Sequence, residues 1–460
     1  MPISTDEYVR SNQERFLEEL FEFLRIPSIS TLPENKEDVT RAAQFTADSL
    51  RRAGLENVEI IPTGGHPLVY ADWLHTPGAP TVLCYGHYDV QPPDPVELWN
   101  TPPFEPTVRD GNIYARGSAD DKGQMYMHVK AVETLMAVHG GKLPVNLKFL
   151  VEGEEEIGGK SIAQFVPEAK EKLKADVALV SDTSLYAEGV PTLCIGLRGL
   201  VYMEVEAKGP SRDLHSGLYG GAAPNAVYGL IELLGKAKDA DGRILIPGFY
   251  DDVEEPAAAE IASWKSLPFD EGEFLAKEVG SSRLTGEPDR MVLERIWSRP
   301  TLEVHGIAGG FTGAGAKTVI PATATAKVSM RLAPHQEPEK MFEVFSAWVA
   351  ANAPQGVALS VRKLSGAPAT VVNPDHPAIA LAAEAFEEVM KAKTVFIRSG
   401  GSIPIVGEFA HHLGIPTVLM GFGLPDDGLH SPNEKYKVEN YYLGIMTVAH
   451  FFEKYGVSRR

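Results

Sequence analysis

The stretch TVLCYGHYDV, residues 81 to 90, places an apolar strand directly before a histidine and an aspartate. Two more apolar runs, NLKFLVEG (146 to 153) and DVALVSD (176 to 182), also lead into acidic residues, and a helical pattern runs from Lys122 to about His139. Strands that alternate with helices in this way are typical of a doubly wound sheet. We therefore predict an α/β domain with a mostly parallel sheet and helices on both of its faces.

The flanking sequence extends this domain and then interrupts it. Helical spacing at residues 5 to 25 and 37 to 53 precedes strands at NVEIIP and LVYADWL, and from about Pro374 a helix and the strand PTVLMGFG return to the same pattern. Between them the order becomes strand, helix, strand, strand, helix, strand, which predicts an inserted ferredoxin-like α+β unit. The expected segments are a catalytic domain at 1–195, an inserted lid and dimerisation domain at 196–373, and the rest of the catalytic domain at 374–460. Residues 239 to 300, rich in proline and acid, receive no predicted element.

Composition narrows the classes of function. A chain of 460 residues is long enough for two cores, and it has no apolar run of the roughly 20 residues that a membrane helix needs. Its net charge of −19 would repel nucleic acid and anionic membranes. Cys84 and Cys194 lie in apolar, strand-like runs, so no disulfide framework is expected. The first residues show an amphipathic helix and no export signal, which favours the cytoplasm.

Four motifs each follow an apolar strand, and a fifth opens the helix at Lys122. They are GHYDV (86 to 90), GEEEIGG (153 to 159), SDT (181 to 183), GLHSPNE (428 to 434) and GSADDKG (117 to 123). Sites in open α/β sheets form at the carboxyl ends of the strands, so these loops should converge on one cleft. Two imidazoles with several carboxylates suit a pair of divalent ions, Zn²⁺ first, with Mn²⁺ or Co²⁺ as alternatives.

Each residue has an ordinary explanation when taken alone. His87 could be a structural histidine at a strand end, Asp120 could cap the following helix, and the run of three glutamates from Glu154 could be a solvated turn. Their joint occurrence argues for a metal site, because clustered like charges after buried strands are costly unless a cation neutralises them.

These motifs resemble the co-catalytic metallopeptidase family of aminoacylases, glutamate carboxypeptidases and carnosinase-like dipeptidases. The resemblance covers nearly the whole chain and is strongest to the cytosolic nonspecific dipeptidase branch. The motifs that carry it stand in the order DVQP, WNTPPFEP, RGSADDKG, DLHSG, HGI, GAKTVIP, RLAP, GGSIP and LHSPNEK.

The resemblance implies two metal ions per subunit and divides the ligands between them. His87 and Asp182 would hold one ion, Glu156 and His430 the other, and Asp120, joined to the next residue by a cis peptide, would bridge both.

The resemblance also implies the roles of two neighbouring acids. Glu155 would be the general base for a hydroxide that bridges the metals, and Asp89 would hold the second nitrogen of His87. For Asp89, a plain turn residue is the alternative.

Further site residues lie in or near the inserted unit. The resemblance implies that His215 enters the active site of a partner subunit to stabilise the oxyanion, which makes the enzyme a homodimer; a structural histidine is the alternative. Thr318, Arg331, Gly401 and Ser402 would bind the substrate together with His430. Arg331 would take the C-terminal carboxylate, unless it forms an internal salt bridge.

One residue departs from the pattern of some relatives. Ser399 stands where they carry an acid before the glycine pair, which weakens a specific prediction of carnosine as substrate.

The predicted function is hydrolysis of dipeptides or short peptides that have a free carboxylate. An N-acyl amino acid amidohydrolase and a catalytically silent metal-binding relative are the alternatives.

Overall fold

The computed structural model describes residues 3–458, and the chain divides into two compact units. Unit 1 comprises Met1–Ile195, Val372–Ile397 and Pro404–Arg460, and unit 2 comprises Gly196–Val371 and Arg398–Ile403. The short segment Arg398–Ile403, which the sequence analysis assigned to the last catalytic segment, groups with unit 2. No helix among residues 3–458 combines the length and apolarity that crossing a bilayer requires.

The first segment of unit 1 contains the predicted alternation of helices and strands. Its helices are α1 Thr5–Ser11, α2 Gln13–Leu24, α3 Lys36–Arg52, α4 Lys122–Val138, α5 Lys160–Glu168 and α6 Lys170–Leu173. Its strands are β1 Glu56–Ile61, β2 Leu68–Trp73, β3 Thr81–His87, β4 Thr107–Arg109, β5 Asn112–Tyr114, β6 Asn146–Glu152, β7 Val177–Val180 and β8 Thr192–Leu197. The helix predicted at 5 to 25 is two helices, because Asn12 leaves the helical conformation between them.

Unit 2 has the ferredoxin-like order. Its strands are β9 Gly199–Lys208, β10 Leu214–His215, β11 Thr301–Gly309, β12 Val319–Ile320, β13 Thr323–Leu332, β14 Ala358–Ala367 and β15 Thr370–Val371. Its helices are α7 Ser216–Tyr219, α8 Ala226–Gly235, α9 Ala258–Lys265, α10 Glu271–Glu273, α11 Val292–Trp297 and α12 Pro338–Ala351. Four strands form an antiparallel sheet in the order β11-β13-β9-β14, on which α8 and α12 pack.

The rest of unit 1 completes the main sheet. It contains α13 Pro377–Met390, β16 Val395–Ser399, α14 Pro404–Glu408, β17 Thr417–Leu419, β18 Lys435–Lys437 and α15 Val438–Val457. The main sheet runs β1-β2-β6-β3-β7-β17-β8; β3 is parallel to β6 and β7, β17 is parallel to β7, and the outer pairs are antiparallel. The carboxyl ends of β3, β6, β7 and β17 therefore meet at one edge. These arrangements confirm the predicted fold class.

Candidate metal centre

The five predicted metal ligands lie at the carboxyl edge of the parallel strands. His87 is the last residue of β3, Glu156 lies in a single 3₁₀ turn after β6, and Asp182 follows β7. Asp120 precedes α4, and His430 lies in the loop between β17 and β18. Because neighbouring parallel strands end at the same edge, five residues spread over more than 340 positions meet in one place.

The ligand atoms form two groups of three that share Asp120. One group is His87, Asp120 and Asp182, and the other is Asp120, Glu156 and His430. His87 Nε2 lies 3.2 Å from Asp120 Oδ1 and 4.0 Å from Asp182 Oδ2. His430 Nε2 lies 2.9 Å from Asp120 Oδ2 and 3.3 Å from Glu156 Oε2. The two oxygens of Asp120 thus face different groups, as a bridging carboxylate requires.

The buried groups of this centre fit a pair of cations. His87 is fully buried, and its Nε2 has no hydrogen-bond partner. Burial, followed by the charge of Asp120, raises the pKa of Asp182 well above its ordinary value. Mixed imidazole and carboxylate donors suit Zn²⁺ and related divalent ions, and binding would both pair His87 Nε2 and neutralise the acids.

The run of three glutamates separates into three environments. Glu154 is buried and accepts hydrogen bonds from the backbone N–H groups of His66 at 2.7 Å and Ser161 at 3.0 Å, so it holds local structure. Glu156 belongs to the second ligand group, and its Oε2 accepts a 2.9 Å bond from the side chain of Gln91. Glu155 lies between them in neither role, which leaves its carboxylate for chemistry.

Asp89 joins the first ligand to the glutamate turn. Its backbone carbonyl lies 3.1 Å from Nδ1 of His87, and its Oδ1 lies 3.4 Å from the same nitrogen. The two carboxylate oxygens accept from the backbone N–H groups of Glu155 and Glu156 at 3.3 and 3.2 Å. One buried aspartate therefore orients the imidazole and fixes the turn that carries both glutamates.

Glu434 is a positioning residue that the sequence analysis missed. Its buried carboxylate accepts from Arg116 Nη1 at 2.7 Å and from the backbone N–H groups of Gly117 at 2.9 Å, Ala119 at 3.0 Å and Asp120 at 3.1 Å. It thus joins the loop of His430 to the loop of Asp120, the predicted bridging ligand. The motif LHSPNEK contains Glu434, but only the fold brings it to backbone groups over 300 residues away.

The loop that Glu434 holds ends in an unusual backbone link. The peptide bond between Asp120 and Asp121 is cis, as the resemblance implies. Asp121 is buried, and its Oδ2 accepts a 3.1 Å hydrogen bond from the backbone N–H of His87. The residue after the shared ligand therefore contacts the backbone of a second ligand.

The other predicted substrate residues lie in unit 2. Arg331, on β13, donates from Nη1 to Ser402 Oγ at 2.8 Å. Gly401 lies beside Ser402, and its backbone N–H donates to Ser399 Oγ at 3.1 Å. Arg331 forms no salt bridge with any residue among 3–458, so the alternative of an internal salt bridge has no partner there. Ser399, which stands where some relatives carry an acid, thus holds the backbone of the segment Arg398–Ile403, called the glycine loop below.

His215 and Thr318 lie together on a short two-stranded ribbon of unit 2. His215 pairs with Val319 across β10 and β12, and the N–H of Ser216 donates to the carbonyl of Thr318 at 3.1 Å. Nδ1 of His215 accepts a 3.0 Å bond from the N–H of Gly217, and the side chain is exposed. The ribbon holds the imidazole at the surface of unit 2.

Comparison with known proteins identifies the family. The model of peptidase family M20/M25/M40 matches residues 83–454, most of the chain. The chain belongs to this family. As an M20-family protein it is a metallopeptidase, and the prediction drawn from its motifs is confirmed.

Individual M20 relatives match almost end to end. The chain is 34% identical to the Cys-Gly metallodipeptidase DUG1 of Candida albicans, over 96% of this chain and 95% of the relative. It is 32% identical to the human Beta-Ala-His dipeptidase, over 97% and 91%. The solved structure of the metallo-carboxypeptidase Sso-CP2 from Sulfolobus solfataricus matches with a TM-score of 0.87 at 31% identity, over 96% and 99%. These likenesses confirm the predicted dipeptidase branch.

Proposed function

We propose that this M20-family enzyme hydrolyses the peptide bond of dipeptides and short peptides that have a free C-terminal carboxylate. One observation carries the proposal: two triads of potential metal ligands share Asp120, and Glu155, which belongs to neither triad, lies within electrostatic reach of His87, Glu156 and Asp120. The dipeptidases among the relatives support dipeptides as substrates, and the carboxypeptidase supports recognition of a terminal carboxylate.

Two divalent ions complete the centre in this proposal. Zn²⁺ is the first choice for this donor set, and Mn²⁺ and Co²⁺ are the alternatives to test. His87, Asp120 and Asp182 would hold one ion, and Asp120, Glu156 and His430 the other. When bound, such a pair polarises the scissile carbonyl and lowers the pKa of water.

Glu155 would carry the proton. Burial, opposed by His87 and then reinforced by the charges of Glu156 and Asp120, raises the pKa of Glu155 to about 8 in the metal-free chain. A carboxylate beside a metal-bound water can accept its proton and later return it to the leaving group. Glu155 would take the proton from the attacking water and deliver it to the departing amine. Asp89 would keep Glu155 in position through the turn that it holds.

The substrate's carboxylate would bind in unit 2. Arg331 is partly buried, burial lowers its pKa, and its guanidinium donates a hydrogen bond to the hydroxyl of Ser402. A cation without a carboxylate partner suits an incoming carboxylate, as do the hydroxyl and the nearby glycine backbone. Gly401, Ser402 and Thr318 would complete this subsite.

His215 would act in a homodimer. Its exposed imidazole has one nitrogen occupied by Gly217, so the other can face an oxyanion in a partner subunit. Unit 2 also exposes apolar side chains on α8 and on the edge strand β11, as a surface that another copy covers would do. They are Tyr228 at 72%, Ile231 at 52%, Val304 at 44% and Ile307 at 50% exposure.

The proposed setting is the cytoplasm, with small peptides as substrates and no nucleic acid or membrane partner. The acidic composition and the two buried cysteines, which lie on different strands, support it.

The deciding experiment compares a panel of dipeptides with N-acyl amino acids, using protein reconstituted with each metal. Faster turnover of N-acyl amino acids would replace the proposal with a deacylase, and metal binding without hydrolysis of any substrate would favour a silent relative.

A further inference from the structure

Arg198 lies in the turn between β8 and β9, and the mechanism above does not use it. Its guanidinium is directed at the backbone of unit 2: Nε donates to the carbonyl of Gly400 at 3.2 Å, and Nη1 donates to the carbonyls of Arg295 at 3.3 Å and Arg299 at 3.1 Å. The side chain therefore connects the glycine loop to the end of α11.

Arg198 is also connected to the proposed carboxylate subsite through Ser402. The hydroxyl of Ser402 donates to the carbonyl of Arg198 at 2.5 Å and accepts from Arg331 Nη1 at 2.8 Å. The backbone N–H of Arg198 donates to the carbonyl of Ser399 at 3.3 Å. Three contacts along one loop thus fix Ser402 and, through it, the guanidinium of Arg331.

The charge of Arg198 is not compensated nearby. Within the described chain, residues 3–458, neither Arg198 nor Arg331 has a carboxylate at salt-bridge distance. Burial, followed by the charge of Arg331, lowers the pKa of Arg198 to about 10, and the more distant Glu303, which pairs with Lys238 at 3.0 Å, opposes this. Two partly buried cations that repel one another are stabilised when an anion binds near both.

A neighbouring arginine of unit 2 has a carboxylate partner and serves as a comparison. Arg398, at the start of the same glycine loop, donates from Nε and Nη2 to the two oxygens of Glu260 at 2.9 and 2.8 Å. That pair is neutral and needs no further anion. The contrast separates Arg198 and Arg331 from Arg398, whose charge is paired with a carboxylate.

We infer that Arg198 is a specificity-determining positioning residue for the substrate's carboxylate. Its side chain holds Gly400 and its backbone carbonyl holds Ser402, which together keep Arg331 in one orientation. Its guanidinium also adds a second positive charge, which attracts a carboxylate and not a neutral amide. The inference rests on the proposed function, in which Arg331 binds that carboxylate.

The test uses the full-length, metal-loaded enzyme and a matched pair of substrates, Ala-Leu and its C-terminal amide. For Arg198→Met we expect the KM for Ala-Leu to rise about tenfold to a hundredfold with kcat within about threefold, since charge-assisted contacts are worth 1.5–3 kcal/mol. The ratio of kcat/KM for the acid to that for the amide should fall by a similar factor. Arg198→Lys keeps the positive charge but loses the guanidinium contacts with the carbonyls of Gly400, Arg295 and Arg299. Its ratio of acid to amide should therefore lie between those of wild type and Arg198→Met.

Two reference variants give every outcome a meaning. Arg398→Lys should keep the wild-type ratio of acid to amide, and Arg331→Met should lose it. If Arg331→Met loses the ratio while both Arg198 variants, shown by thermal melting to be folded, keep it, the inference about Arg198 is wrong and the proposed function stands. An equal loss for acid and amide in the Arg198 variants would likewise reduce Arg198 to a structural role. If Arg331→Met also keeps the ratio, the proposed carboxylate subsite fails, and the inference fails with it.

Discussion

The two units gather charge of opposite sign for opposite purposes. In unit 1 the metal centre crowds Asp120, Glu155, Glu156 and Asp182 around a buried imidazole, and burial together with the neighbouring acids raises the pKa values of Glu155 and Asp182. In unit 2 the loop at Ser402 contacts the guanidinium groups of Arg198 and Arg331, and among residues 3–458 neither group has a carboxylate at salt-bridge distance. Each arrangement is costly alone and is relieved by a ligand of opposite charge. The clustered acids of unit 1 therefore favour a cation as ligand, and the two arginines of unit 2 favour an anion.

The largest expected effect comes from removing the carboxylate of Glu155, the proposed general base of unit 1. Glu155→Gln should lower kcat by about a thousandfold to ten-thousandfold, because general acid and base catalysis is lost. Metal content, measured by atomic emission, should stay at two ions per chain. The matched control is Glu154→Gln, since an amide oxygen can still accept from His66 or Ser161. Near-normal turnover in Glu155→Gln would remove it from the mechanism.

The next effect tests whether His215 of one subunit acts at the metal centre of a partner subunit. His215→Ala should lower kcat by about a hundredfold to a thousandfold, the usual loss for one oxyanion donor. Mixing His215→Ala with Glu155→Gln subunits should restore about a quarter of the wild-type activity, because half the dimers then contain one intact site. Mixed subunits that stay inactive although they exchange would place the action of His215 within its own chain.

A smaller effect concerns how unit 1 keeps its acids together. Glu434→Gln replaces an acceptor with an amide donor facing Arg116 and Gly117, so metal affinity should fall about tenfold to a hundredfold. Asp427→Asn is the control: Asp427 is a buried carboxylate in the same loop, but it contacts Leu424 and Lys435. Equal losses of affinity in both variants would mean that the loop is only generally destabilised.

The smallest effect is the pH dependence of the metal-free protein. Glu155, with a pKa raised by burial to about 8, and His430, with a pKa raised by Asp120 to about 10, both bind protons more tightly when folded. Such groups stabilise the fold at pH values below their unfolded pKa, and that stabilisation is lost as the pH rises through the folded pKa. The melting temperature of chelator-treated protein should therefore fall from pH 6 to 9, whereas the metal-loaded protein should change little. A melting temperature of the metal-free protein that stays constant or rises over this pH range would contradict the raised pKa values of Glu155 and His430.

The sequence predicted the fold because its strands and helices follow simple periodicities. The strand at 81 to 86 and the helix from Lys122 are where the alternation of apolar runs puts them, and the ferredoxin-like order of unit 2 follows from the same pattern. The excursion at 239 to 300 could not be predicted in this way. Its helices, such as Ala258–Lys265, are short, and the packing of Trp264, which is almost fully buried, depends on tertiary contacts.

For the candidate site, the sequence predicted the metal-ligating residues better than the residues that hold site loops in position. His87 and Asp182 stand at strand ends, so topology alone brings them to one edge. The supports act through backbone groups far away in sequence, as Glu434 does on the loop of Asp120 and Arg198 does on Gly400. No local pattern marks such contacts, because they depend on where distant loops meet.

The central claim is that two ions share Asp120 and serve peptide hydrolysis. The most direct measurement adds Zn²⁺, and in parallel Mn²⁺ or Co²⁺, to metal-stripped protein and follows bound metal and Ala-Leu hydrolysis in the same samples. We predict that activity reaches its full value only as the second ion per chain binds, and that Asp120→Asn abolishes this stoichiometry. Full activity at one ion per chain, or hydrolysis by the metal-free protein, would contradict the account.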